Sequence, residues 1–587
     1  MIYSRLYQLK LLFGLLALVL VVQLFNLQVL QFRSYKVLAD LQHFRESPVP
    51  AKRGQIFSQD NSPLVSNKTS YLLFAEVNKV INTIKTAKKL AYVLFDPNSY
   101  DDLEKKRGLG NLKKEFEAGL KERIENQGLV WVSLAKKLNE EKKHLLESYE
   151  LSGLGFEEEF RRSYPEGNLA SFVLGFVGSA ESGVEKGYYG IEGFYDGDLK
   201  GKGGKVVEER SASGLPILSG DYKEIKAADG RDLVLTLNRS IQFLVEKRLK
   251  EGVEKYQAKS GTVIVMDPFT GAIMAMASYP DFDPGNWENF AKNYSEDMKD
   301  RNLIFRNPAI SETYEPGSVM KALTISAGVD LGLITPQTEF DDNGPIIASG
   351  NTVNNWDKKH HGRQNIIQLL QKSNNIGAAF VGKKLGSERL REYFVRFGLG
   401  TQTGIDLAGE DTGVLKTLSQ WRDIDLVTAA FGQGISTTPL QLVSAFTVIA
   451  NGGVLYKPYI VSQIRDGIKT VPFKPVKARQ VLSPDKAKIM IDLLTAAAEG
   501  GEGKFFVLKK YRVAGKTGTA QIPLEGQYDP DKTNTTFIGF LPNNLKFVML
   551  VRLKEPTTSV YAAETAVPLW MEITKDLTSF FAIPPDR

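Results

Sequence analysis

Glu315-Pro-Gly-Ser318-Val-Met-Lys321, continued by Ala322-Leu-Thr-Ile-Ser-Ala-Gly-Val-Asp330, is the stretch from which the rest of the chain is read. Pro316 and Gly317 interrupt the backbone, and a run dense in Val319, Met320, Leu323, Ile325, Ala327 and Val329 follows, the pattern of a helix buried on most of its surface. One lysine stands in that apolar run. Ser318 and Lys321 are three residues apart, so on a helix the hydroxyl and the ammonium share a face within one turn. Burial disfavours the charged form of a lysine, so Lys321 is expected to have a lowered pKa and to accept the proton of Ser318, making a nucleophile of a weak alcohol. That is a serine-lysine acyl-transfer site in outline.

Ser-x-x-Lys is a short pattern, and it recurs at Ser133-Leu-Ala-Lys136 and Ser483-Pro-Asp-Lys486, neither in a buried apolar run. Two further elements single out the copy at Ser318. Ser373-Asn374-Asn375 lies between the helix-like runs Asn365 to Lys372 and Ile376 to Gly382, and Lys516-Thr517-Gly518-Thr519 opens a strand-like segment ending near Ile522. Competing matches are Ser349-Gly-Asn351, in a Gly/Asn-rich loop, and Lys259-Ser-Gly-Thr262, upstream of Ser318. Only one set has the order Ser-x-x-Lys, Ser-x-Asn, Lys-Thr-Gly in fitting local structure.

That order is the signature of penicillin-binding proteins and of the β-lactamases related to them. The chain resembles the former, and in particular the class B penicillin-binding proteins, which are monofunctional peptidoglycan D,D-transpeptidases. The resemblance also rests on Arg162-Ser-Tyr-Pro165, Gly175-Phe-Val-Gly178, Gly190-Ile-Glu-Gly193, Asp267-Pro-Phe-Thr-Gly271, Arg306-Asn307, Gly432-Gln-Gly-Ile435 and Ala450-Asn-Gly-Gly453. Ser373-Asn-Asn-Ile-Gly377 and Phe431-Gly-Gln-Gly-Ile-Ser436 before Thr438-Pro-Leu-Gln-Leu442 look more like the cell-division subfamily than the elongation one. One departure lies at Ser58-Gln59-Asp60-Asn61, where the family usually has Asp-Arg-Asn-Gly.

The bulk properties agree with this reading. A chain of 587 residues is too long for one core and implies two soluble domains with accessories. A net charge of +6 without a dense basic block argues against a nucleic-acid binder. The absence of cysteine excludes disulfides and thiolate metal sites. The four histidines, His43, His144, His360 and His361, form no ligand pattern, and the adjacent pair reads as a polar loop feature. No cofactor and no metal are expected.

Leu11 to Leu30 is the one membrane-length apolar segment, enough for a helix of about 20 residues across a bilayer core. No small-x-small cleavage site closes it, which favours an uncleaved anchor over a signal peptide. Basic residues flank both ends, so their balance leaves the orientation open. The resemblance implies a cytoplasmic tail at 1–10, a transmembrane helix at 11–30, a non-catalytic pedestal of the dimerisation type at 31–230 and an extracytoplasmic (periplasmic) transpeptidase domain at 231–587.

Within the pedestal, Leu112 to Glu125 and Trp131 to Glu147 read as long charged helices. In the second domain, Thr262 to Met266 and Ala272 to Met276 form a hairpin around Asp267-Pro-Phe-Thr-Gly271, and Thr535 to Phe540 and Phe547 to Arg552 form another. Strands from both ends with helices between them imply an α/β (α+β) fold, an antiparallel sheet covered by helices, which is also the family's transpeptidase fold.

The resemblance also assigns roles. Ser318 attacks the carbonyl of the penultimate D-alanine of a cell-wall stem peptide, with Lys321 as base. Ser373 relays a proton, and the Asn375 amide holds a substrate amide. Lys516 supplies a second positive charge, and Thr517 and Thr519 contact the substrate carboxylate. Gly518 lets substrate backbone approach the strand edge and extend it. The N–H groups of Ser318 and Thr519 form the oxyanion hole, and Gly432-Gln-Gly434 is a structural turn. The implied partners are stem peptides ending in D-Ala-D-Ala, β-lactams as inhibitors, and a membrane-embedded glycan polymerase with other division proteins. An elongation-type transpeptidase, a non-catalytic β-lactam-binding scaffold or sensor, and a β-lactamase are the competing readings.

Overall fold

The computed structural model describes residues 2–97, 100, 102–126, 128–179, 185–209, 217, 222–293, 301–467, 469–504, 508–524 and 527–587. Helix α1 (Ile2–Phe25) continues through a single π turn, Asn26–Leu30, and the apolar span Tyr3–Leu30 is 28 residues long with none of its apolar window buried against protein. At about 1.5 Å per residue that length crosses a bilayer core. Arg5 and Lys10 lie inside the same helix, so Leu11 is the start of the uncharged stretch and not of the helix.

The chain divides into two compact units that do not follow chain order: Met1–Arg53, Tyr71–Phe160 and Lys200–Gly230 make the first, and Gly54–Ser70, Arg161–Leu199 and Arg231–Arg587 the second. In the first, helices Thr83–Leu94 and Leu109–Glu125 pack with a small core that includes Leu73, Ala75, Leu90, Leu120, Val132 and Leu134. The reading of Trp131 to Glu147 as one helix is corrected here. Trp131–Leu138 is a strand, antiparallel to the segment ending at Glu76 (Phe74 opposite Ser133), and the helix covers only Glu140–Glu147. Val132 and Leu134 are buried two residues apart, a strand period that the lysines following them disguise as a charged helix. Asn139 then starts the helix by accepting from the Lys142 N–H at 3.0 Å.

The second unit is built on a five-stranded antiparallel sheet. Helix α2 (Arg239–Lys255) precedes β1 (Ser260–Met266) and β2 (Ile273–Tyr279). A helical middle follows, with α3 (Met320–Asp330), α4 (Ile366–Gln371), α5 (Asn375–Arg396), α6 (Pro439–Ala450) and α7 (Pro484–Gly500). The chain returns through β3 (Ala514–Leu524), β4 (Gln527–Phe540) and β5 (Val548–Lys554) to α8 (Ala566–Phe580). The spatial order is β2-β1-β5-β4-β3, so β1 pairs with β5 (Ser260 opposite Lys554) and β3 is an edge.

Both faces of the sheet are buried, which is why its inner strands read as continuous apolar runs. Val263, Val265, Met549 and Val551 pack with α2 and α8, whereas Ile264, Met266, Val548 and Leu550 pack with the helical middle. Helix α3 lies in that second layer, with every residue from Met320 to Val329 buried. Its hydroxyls are satisfied by backbone: Thr324 Oγ1 donates to the Ala430 carbonyl at 2.8 Å, and Ser326 Oγ to the Ala322 carbonyl at 2.7 Å.

Two family-like motifs meet in this unit as an ion pair. Arg162 Nε donates to Glu192 Oε1 at 2.6 Å with both side chains almost fully buried. The strand Asp232–Leu235 pairs in parallel with Ile56–Phe57, so residues on the early side of 230 belong to this unit. The unusual Ser58–Asn61 makes the tight turn after Phe57. Ser58 Oγ donates to Asp60, Ser58 N donates to the Ser62 carbonyl at 2.9 Å, and Asn61 takes the left-handed position at φ +64° that asparagine tolerates.

Candidate active site

The turn that carries Ser318 is fixed from two sides before any catalytic group is considered. Gly317 adopts φ +58°, and its N–H donates to the Gly432 carbonyl at 3.0 Å. Gly432 sits so close that a Cβ there would lie 2.2 Å from the Gly317 carbonyl oxygen. On the other side runs β3, where alternation sends Lys516, Gly518 and Ala520 towards the turn and Thr517, Thr519 and Gln521 towards open space. A Cβ on Gly518 would stand 2.9 Å from the Pro316 carbonyl oxygen and 3.0 Å from Val319. The missing side chain at Gly518 therefore lets the strand lie against the Ser318 turn, a constraint within the protein that sequence reading did not foresee.

Ser318 falls in a 3-10 turn, Gly317–Val319, that leads into α3, and the short spacing to Lys321 survives. Lys321 Nζ lies 3.0 Å from Ser318 Oγ, 3.2 Å from Ser373 Oγ and 2.8 Å from Asn375 Oδ1, and it also donates to the Ser373 carbonyl. Lys516 Nζ donates to the same Ser373 hydroxyl at 3.0 Å and to Thr517 Oγ1 at 3.1 Å. All three motifs thus converge on one polar cluster. Lys321 is wholly buried, and that burial, reinforced by the neighbouring Lys516 ammonium, drives it well below the ordinary lysine range. Burial lowers Lys516 as well, against the pull of the Glu502 carboxylate.

Ser373 reaches both lysines because its backbone is left-handed, at φ +52° between α4 and α5. Such a conformation at a non-glycine residue costs roughly 1–3 kcal/mol and has to be held in place. The Asn374 N–H donates to the Leu369 carbonyl at 2.9 Å, and Asn374 Oδ1 caps α5 at the Gly377 N–H, 2.8 Å away.

A cleft of about 360 Å3 opens over the cluster. Ser318, Ser373, Asn375, Thr517 and Thr519 line it together with Trp356, Glu502, Gln521 and Tyr561. It opens the site to solvent, and its volume suits a peptide-sized ligand rather than an ion.

Residues 261–575 match the penicillin binding protein transpeptidase domain, and residues 48–235 the penicillin-binding protein dimerisation domain. The chain belongs to the class B penicillin-binding protein family. This penicillin-binding protein is 32% identical to stage V sporulation protein D of Bacillus subtilis (strain 168), over 92% of its own length and 80% of the relative's. It is 29% identical to peptidoglycan D,D-transpeptidase FtsI of Buchnera aphidicola subsp. Baizongia pistaciae (strain Bp), over 78% and 76% of the two chains. Among solved structures, a peptidoglycan synthetase from Bifidobacterium adolescentis superposes with a TM-score of 0.71 at 25% identity, covering 93% of this chain and 98% of that one.

Several side chains of this penicillin-binding protein's site escaped the sequence reading. Asp342 is fully buried and accepts from Asn355 Nδ2 at 2.8 Å, Asn374 Nδ2 at 2.6 Å and the His361 N–H at 3.1 Å. Asn355 Oδ1 in turn accepts from the Asn375 N–H at 2.9 Å, so Asp342 and Asn355 underpin the second motif. His360 pairs with Asp342 and His361 with Asp357, which places the histidine pair in a polar loop. Among the described residues no cluster of three metal-ligating side chains occurs. Trp356 and Tyr561 stack edge to face at 5.8 Å at the rim of the cleft. Glu315 accepts from the Gly434 N–H and the Tyr528 hydroxyl, each at 3.0 Å. A run such as Asn354-Asn355-Trp356 carries a weak loop signal, but a lone aspartate or glutamate carries none.

Proposed function

We propose that this chain is a peptidoglycan D,D-transpeptidase working through an acyl-enzyme on Ser318, anchored by its N-terminal helix with the bulk of the chain outside the cell membrane. The observation that carries the reading is the contact of a fully buried Lys321, its pKa driven down by burial, with the Ser318 hydroxyl at 3.0 Å. Neutral Lys321 takes the Ser318 proton as Oγ bonds to the carbonyl carbon of the penultimate D-alanine. The tetrahedral oxyanion is held by the N–H groups of Ser318 and Thr519. As the C–N bond breaks, the proton passes from Lys321 through Ser373 to the departing D-alanine nitrogen.

An acceptor amine then attacks the ester carbonyl, the new C–N bond forms as the bond from that carbon to Ser318 Oγ breaks, the amine's proton returns to Oγ, and a cross-link results. Lys516, Thr517 and Thr519 receive the donor's terminal carboxylate. The open edge of β3 accepts its backbone as an added strand. β-Lactams acylate the same hydroxyl, and a glycan polymerase and division proteins in the membrane are the partners expected for a chain of this kind.

The division-type motifs at Ser373–Gly377 and Phe431–Leu442 favour septal wall synthesis. The likeness to stage V sporulation protein D supports a second setting, wall synthesis during sporulation. Covalent labelling of the full-length protein with a fluorescent penicillin tests the chemistry. Ser318→Ala abolishes the label, whereas Ser133→Ala and Ser483→Ala keep it. A label that survives Ser318→Ala removes Ser318 as the nucleophile. Fluorescent fusions in dividing and sporulating cells separate the two settings.

A further inference from the structure

Glu502, just beyond the end of α7, enters the site from outside the three motifs. Among the described residues it is the one carboxylate that lines the cleft. Its Oε2 accepts from Thr517 Oγ1 at 3.4 Å, and that hydroxyl accepts from Lys516 Nζ at 3.1 Å. Lys516 and Lys321 both donate to Ser373 Oγ, at 3.0 and 3.2 Å, and Lys321 touches Ser318. A continuous chain of polar atoms therefore runs from the Ser318 hydroxyl through Lys321, Ser373, Lys516 and Thr517 to a half-buried carboxylate. Glu502, Lys516 and Thr517 also border one inner space of about 10 Å3, roughly the room for a single water molecule.

We propose that Glu502 is a positioning residue that sets the charge of the Lys321–Lys516 pair and so the pH range in which Ser318 is acylated, an inference that rests on Lys321 being the base. The charged groups acting on Lys321 are Lys516 on β3 and Glu502, and the one acting on Lys516 is Glu502. Lys358 also lines the cleft. Burial strips protons from both lysines, the Lys516 ammonium adds to that loss at Lys321, and Glu502 opposes it at both.

The direction of the effect follows. Acylation needs Lys321 neutral and Lys516 charged, so the rate rises as Lys321 loses its proton and falls as Lys516 does. Removing the Glu502 charge lets both protons leave at lower pH. Glu502→Gln keeps an oxygen for the Thr517 hydroxyl and removes only the charge, whereas Glu502→Asp keeps the charge.

The second-order rate of β-lactam acylation, measured against pH on the full-length protein, tests this. Both limbs of the Glu502→Gln profile are expected about 0.5–1 pH unit lower than the parent's, with acylation on the acid limb roughly three- to tenfold faster. Glu502→Asp is expected to follow the parent. Superimposed profiles, a move to higher pH, or a loss of rate without displacement overturn the inference. The parent profile reports separately on the base. A parent with no rising limb removes Lys321 from that role, while an intact parent limb that Glu502→Gln leaves in place removes only Glu502.

Discussion

Gly432→Ala probes how rigidly the Ser318 turn is held, and its size can be worked from two distances. The new Cβ would lie 2.2 Å from the Gly317 carbonyl oxygen, where ordinary contact begins at 3.4 Å, so the two backbones must part by 3.4 − 2.2 = 1.2 Å. The neighbouring atom is backbone one residue before Ser318, so no side-chain rotation relieves the clash. Displacements of about 1 Å in a reacting group cost on the order of 100-fold in rate. The substitution also places a β-carbon at φ +86°, a strain of roughly 1–2 kcal/mol.

Gly434→Ala separates the two effects. It has the same kind of strain at φ +74°, but its Cβ would meet only the Thr428 hydroxyl, at 3.3 Å. Acylation by a fluorescent penicillin and thermal unfolding, measured on full-length protein, should show both variants less stable, Gly432→Ala more so because its clash adds to the shared strain. Only Gly432→Ala should lose about two orders of magnitude in acylation. If the two variants acylate equally fast, the turn does not hold Ser318 in place and the reasoning fails.

Two further perturbations follow from the same geometry. Arginine cannot release its proton in a protein, so Lys321→Arg is expected to abolish acylation as fully as Ser318→Ala, while Lys516→Arg, which keeps the charge, loses less; rapid acylation of Lys321→Arg would remove Lys321 as the base. Glu312 accepts from Arg552 at 2.9 Å and Lys554 at 2.6 Å. Burial works to raise its pKa, but these cations overcome it and hold the carboxyl at about 2, against an ordinary 4.5. A lowered carboxylate stabilises the fold fully above 4.5 and less as pH falls towards 2, so Glu312→Gln should cost about 3 kcal/mol at neutral pH. The gap in Tm from the parent should close below pH 4.5; a gap independent of pH would contradict the ion pairing.

Local chemistry was enough to read the helix after Pro316, the two hairpins and the apolar N-terminal span, because each is written in periods of a few residues. The same holds for Ser318 and Lys321, whose spacing of three survives the replacement of helix by a 3-10 turn at Gly317–Val319. Local reading failed at Trp131–Leu138, where charged residues on the exposed side of a strand resemble a helical face. It also gave no hint that residues 54–70 and 161–199 pack with the later chain, since that is a matter of non-local contact.

The tertiary structure alone decided what surrounds the motifs. Gly518 and Gly432 are small because two backbones press on the Ser318 turn from opposite sides, and no window of sequence contains both. Asp342 and Glu502 are single acids in unremarkable contexts, and only the folding of the chain between them and their partners, 32 residues to Asn374 and 15 to Thr517, brings them into contact. Sequence fixes which groups can react, because reactivity belongs to side-chain type and near spacing. Their charge and aim depend on burial and on distant neighbours, which exist only once the chain has folded.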